Sequence, residues 1–82
     1  MGDLFRVDLL VEIPPALQKQ YDNTAFLAID YKTGYLEQEL PVPANKEQIL
    51  NYIDLLSKST GKKALGLLLY LDAKECCLVE GE

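Results

Sequence analysis

Three features of the chain predict a small α+β domain, a mainly antiparallel sheet with one principal helix packed on one face. They are an alternating apolar run at residues 4–13, an amphipathic stretch after Asn45, and the run from Ala64 to Leu71, which is apolar on both faces. With 82 residues, 49% of them apolar and 26% charged, there is material for a single core, so residues 1–82 read as one domain. A domain of this size buries only about 60–65% of its unfolded surface, which leaves it marginal and makes oligomerisation or a partner a natural way to finish the core. Large catalytic architectures are excluded.

In the first element Phe5, Val7, Leu9, Val11 and Ile13 fall on one side and Arg6, Asp8 and Glu12 on the other, the period-two pattern of a half-buried strand. Pro14-Pro15 removes two backbone donors and stops it. Ala16 to Tyr21 has room for one or two helical turns, closed by a turn at Asp22-Asn23. Thr24 to Tyr31 and Tyr35 to Val42 then flank Lys32-Thr33-Gly34 and read as a β-hairpin, Gly34 supplying the positive φ. A Thr33-Gly34 loop sets Tyr31 against Leu36, Ile29 against Gln38 and Leu27 against Leu40. Asp30, Glu37 and Glu39 are left on the reverse; a three-residue loop segregates polarity less well because it sets Ile29 against Glu37.

Asn45-Lys46-Glu47-Gln48 has the form of a capping box, and Ile49, Tyr52, Ile53 and Leu56 follow as one apolar stripe of a helix that Gly61 terminates. Ala64 to Leu71 is an interior strand, and Cys76 to Glu80 a short last one. This order is similar to the βαββαβ plan of ferredoxin-like folds with a stunted first helix; the α+β sheet with one real helix is the coarser statement.

Thirteen acidic against eight basic residues give a net charge of −5, with Arg6 the only arginine and Lys62-Lys63 the only adjacent basic pair. That balance argues against direct binding of nucleic acid, which needs a cluster of cations, and suits a protein partner with a basic surface. Histidine is absent. The two cysteines, Cys76 and Cys77, are neighbours that point to opposite faces of a strand, so they read as packing thiols in a reducing compartment rather than as a disulfide or a zinc site. Asp3 and Arg6 interrupt any N-terminal apolar stretch, and the longest apolar run is far short of the roughly 20 residues that span a bilayer. The expectation is a cytoplasmic protein with no membrane association.

Two strings carry an echo of chemistry. Ser59-Thr60-Gly61-Lys62 and Lys32-Thr33-Gly34 match the S-x-x-K and K-T-G of serine β-lactamases and penicillin-binding proteins, but here the serine ends a helix instead of starting one and the K-T-G comes first. Gly61-Lys62-Lys63 lacks the upstream glycine and the following hydroxyl of a phosphate loop. Turn and helix-cap chemistry accounts for all three. No catalytic residue, cofactor or metal ligand set is indicated, and the chain reads as non-enzymatic.

If the helix covers the side bearing Phe5, Val7, Leu9, Leu27, Ile29, Leu36 and Leu40, the opposite side of the sheet collects Asp8, Leu10, Glu12, Phe26, Asp30, Glu37 and Glu39, joined by Leu68 or Tyr70. Five carboxylates around an apolar centre form a surface for docking a basic macromolecule, apolar side chains anchoring and charges steering. The functional expectation is therefore a small acidic binding module, an adaptor, inhibitor or small subunit. The alternatives are a nucleic-acid mimic that inhibits a nucleic-acid-processing or defence enzyme, a dimeric metabolite-binding regulatory domain, and a homodimer paired through an exposed strand edge.

Overall fold

A computed structural model describes residues 7–81. The prolines and positive-φ residues divide them into β1 (Leu9–Glu12), a one-turn α1 (Pro15–Gln18) continued by a 3₁₀ turn (Lys19–Tyr21), β2 (Thr24–Lys32), α2 (Pro43–Thr60), β3 (Lys63–Tyr70) and β4 (Glu75–Glu80). Asp22 and Asn23 both take left-handed φ, at 58° and 61°, closing the first turn as their short polar side chains permit. The strands form one sheet in the order β1-β2-β3-β4. β1 is antiparallel to β2, β2 is parallel to β3 through the α2 crossover, and β3 is antiparallel to β4. This is a small α+β domain with a mixed four-stranded sheet and one long helix; its strand order does not establish a ferredoxin-like arrangement.

The expected strand from Tyr35 to Val42 is absent. Residues 33–42 form an irregular loop, and β2 takes β3 as its neighbour. The parallel ladder from Phe26↔Ala64 to Lys32↔Tyr70 offers β2 an apolar partner along its length, whereas Pro41 deprives the 35–42 segment of a ladder donor. The loop is held elsewhere: Gly34 N–H donates to an Asp72 carboxylate oxygen, and the Tyr35 ring stands edge-on to Tyr70 at 5.5 Å between centroids. The N-terminal part of the predicted first strand, residues 4–6, lies outside the described residues.

α2 also begins earlier than the capping-box pattern indicates. Val42 occupies the cap position and Pro43 the first helical one, where its fixed φ is preorganised and its missing N–H costs nothing. Asn45 is instead buried in the first turn, and its Nδ2 donates to the Tyr70 hydroxyl at 3.0 Å, which also accepts the Val42 N–H at 3.0 Å. The other end is as predicted: Gly61 adopts φ 69° and returns its N–H to Ser57 O at 2.8 Å.

Register fixes the two faces of the sheet. Glu12 and Leu10 on β1, Phe26, Ala28, Asp30 and Lys32 on β2, Ala64, Gly66, Leu68 and Tyr70 on β3, and Val79 and Cys77 on β4 share one face. α2 lies over that face, chiefly over β3, with Ile49 and Ile53 entering a core of Ala28, Ala64, Leu68, Tyr70 and Val79. Gly66 sets the approach: a Cβ there would stand 3.0 Å from two carbons of Ile49. The expected assignment of faces is thus reversed. The helix covers the side of Phe26 and Leu10, and the side of Leu9, Leu27 and Ile29 is the uncovered one. Leu36 and Leu40, expected beneath the helix as strand residues, belong to the loop, where Leu40 packs against the core and Leu36 is exposed.

Candidate functional site

Of the seven residues proposed from the sequence, five do come together. Antiparallel pairing sets Leu10 against Ala28 and Glu12 against Phe26, and the Tyr31 N–H donates to Asp8 Oδ2 at 2.8 Å, so Asp8, Leu10, Glu12, Phe26 and Asp30 lie along the β1–β2 half of the helix-bearing face. Glu37 and Glu39 do not join them through strand pairing; both are exposed on the 33–42 loop. Phe26 is half-buried against the core, whereas Leu10 remains 41% exposed at the edge strand. The result is an acidic margin beside the helix, not an acidic open face.

Two of its carboxylates have protein partners, the exposed Asp8 through the Tyr31 N–H and the largely covered Asp30 through Lys32. Lys32 and Asp30, two apart on one strand and hence on one face, pair at 3.0 Å between Nζ and Oδ2, with side chains 18% and 14% exposed. Loss of water raises the Asp30 carboxyl above its ordinary 3.8, neighbouring Asp8 pushes it the same way through a shared hydrogen bond and like charge, and Lys32 opposes both. A raised carboxyl holds its proton more tightly folded than unfolded. On this group's account, stability therefore rises as pH falls from its folded value towards 3.8. Asp8→Asn should move the Asp30 titration, followed by its carboxyl carbon shift, downwards, and Lys32→Met should move it upwards. An Asp30 indifferent to both substitutions would show that the pair is not in contact.

The second surface is the one the helix leaves open. Leu9 and Val11 from β1, Leu27, Ile29 and Tyr31 from β2, Leu65, Leu67 and Leu69 from β3, and Leu78 from β4 alternate out of the ladder onto it. Leu9 and Tyr31 are each 44% exposed and Leu78 57%, and the central residues are half-buried. The long helix α2 packs on the opposite face, and the loop residues Tyr35, Leu40, Val42 and Ala73 pack against the core beneath it. Its described charged strand residues, Lys63 and Glu80, sit at one end, where the Lys63 amine is held by Asp22 Oδ2 at 2.6 Å. Cys76 lies exposed on this side and Cys77 on the core side, where burial, with Glu75 and Cys76 adding to it, pushes the Cys77 thiol up. Sequence reasoning missed this surface because it took the more apolar flank of β1 and β2 for the core.

Two further features bear on chemistry. No group of three or more His, Cys, Asp or Glu side chains converges among the described residues, and none of the described helices is long and apolar enough to cross a membrane. A cleft of about 340 Å³ between the last turn of α2 and the start of β3 is lined by Asp54, Ser57, Lys62 and Lys63, but its lysine nearest the sheet is already paired with Asp22. Comparison with protein-family models, with curated proteins and with solved structures finds no match to this chain.

Proposed function

We propose that this chain is a non-enzymatic protein-binding module, an adaptor, inhibitor or small subunit, that docks through the uncovered face of its sheet. One observation carries the reading: aliphatic side chains from all four strands share the face opposite the one that α2 covers. Contiguous apolar patches beyond a few hundred Å² are rare on monomeric proteins and mark interaction sites. The acidic margin of Asp8, Glu12 and Asp30, with the exposed Glu37 and Glu39, belongs to the helix-bearing side and the 33–42 loop, so the aliphatic residues and not the carboxylates supply the anchor. Mimicry of nucleic acid gains less support, because Asp8 and Asp30 are engaged within the protein and do not present a phosphate-like array. A reducing, cytoplasmic setting fits the free thiols of Cys76 and Cys77.

The test is positional crosslinking in the native host. A photoreactive amino acid in place of Leu67, at the centre of the open face, should give a discrete adduct, whereas the same group in place of Leu55, exposed on α2, should not. Equal yields from both positions, or none from Leu67, would remove the docking surface.

A further inference from the structure

We infer that the occupant of the open face is a second copy of this chain, stacked sheet on sheet; this rests on the reading of that face as a docking surface and names its partner. The first argument is chemical. Away from the Lys63 and Glu80 end, the face displays aliphatic residues with Tyr31 and Cys76. It therefore has no charge pattern with which to select an unlike partner, while the carboxylates that give the chain its net charge of −5 lie mostly on other surfaces. An aliphatic face without charges at its centre can meet its own copy across a two-fold axis. About a two-fold axis near Leu67, leucines and isoleucines of one copy interleave with those of the other, as inner faces do in sheet sandwiches about 10 Å apart.

Area is the second argument. Four strands at about 4.8 Å spacing and some seven residues at about 3.3 Å rise make a face of roughly 19 by 23 Å, and more along the contoured side chains. Two such faces bury on the order of 900 Å² in projection and about 1,000 Å² with side-chain contour, at the lower bound for a specific interface. The third argument is the strand at the centre. β3 is apolar on both sides, a pattern of sheets covered on both faces, and α2 covers only one of them. A second copy gives the order helix, sheet, sheet, helix and supplies the missing cover.

Sedimentation equilibrium of the full chain should give a dimer mass in the micromolar range. Leu67→Asp places one charge on each side of the axis and should weaken association about 100-fold or more. Leu78→Lys, at a position exposed enough to spare the fold, should weaken it as well, with unchanged far-ultraviolet circular dichroism in both variants. Leu55→Asp, on the outer side of α2, should leave the dimer intact. A single-chain mass at every concentration overturns the proposal, as does a dimer that survives Leu67→Asp and Leu78→Lys or is lost in Leu55→Asp. Should the chain be monomeric, a hydrophobic fluorescent dye separates the two failures. Dye binding lost in Leu67→Asp leaves the docking surface standing with another partner, and no dye binding removes that surface too.

Discussion

Leu68→Ala should cost about 3 kcal/mol, and its neighbour Leu67→Ala about 1 kcal/mol or less, when both are unfolded by denaturant at a concentration low enough to hold the chain monomeric. The two residues are adjacent on β3 and chemically identical, so the difference isolates the face each one occupies. Leu68 is 0% exposed and sits in the cluster with Ile49, Ile53 and Tyr70, where removal of three carbons leaves a cavity that a helix on one side and a sheet on the other cannot close. Leu67 faces away from α2, and water fills the space its truncation opens. In a domain of this size each kcal/mol moves the melting temperature by about 4–8 °C, so Leu68→Ala should lower it by roughly 15 °C or more. Equal losses at the two positions would mean that both sides of β3 are equally covered in the monomer, and the open face would not exist.

The same pair of residues shows what the sequence does and does not disclose. Strand, helix and strand are legible at residues 24–31, in the helix after Asn45 that Gly61 ends, and at residues 64–71, because alternation, the stripe of Ile49, Tyr52, Ile53 and Leu56, and Gly61 act locally. The first turn of α2, from Pro43, is not. The grouping of Asp8, Leu10, Glu12, Phe26 and Asp30 is legible too, since alternation alone places them on one side. Which side receives the helix is not a local property. On β1 and β2 the flank of Leu9, Val11, Leu27 and Ile29 is the more apolar, and hydrophobicity alone assigns it to the core.

Close approach decides otherwise. A helix settles on a sheet where the side chains beneath it are short, and Ala28, Ala64 and Gly66 form such a floor on the other flank, deep enough for Ile49 to reach the backbone at Gly66. That floor is written in the sequence as two alanines and a glycine, but it becomes visible only once the β2–β3 register brings them side by side. The loop was illegible for a related reason. Tyr35 to Val42 alternates well enough to be a strand, and only the long-range competition from β3, together with the tie to Tyr70, withdraws it from the sheet.

Tyr70→Phe should destabilise the domain by about 2 kcal/mol although it removes a single oxygen. The hydroxyl is the shared acceptor for the Val42 N–H and for Asn45 Nδ2, one at the end of the loop and the other in the first turn of α2, and Tyr70 itself is 1% exposed. Phenylalanine keeps the ring and its edge-on contact with Tyr35 but leaves two donors facing a site with little access to water. Asn45→Ala removes one of those donors together with part of the demand for the hydroxyl. The double variant should therefore cost less than the sum of the single ones, by about 0.5–1 kcal/mol or more. Amide exchange gives the local reading: protection at Val42 and in the first turn of α2 should fall in Tyr70→Phe, while the β3–β4 ladder, whose bonds do not involve the hydroxyl, keeps its rank order. Additive losses in the cycle, or a Tyr70→Phe variant within about 0.5 kcal/mol of the parent, would show that this hydroxyl does not pin the helix and loop to the sheet.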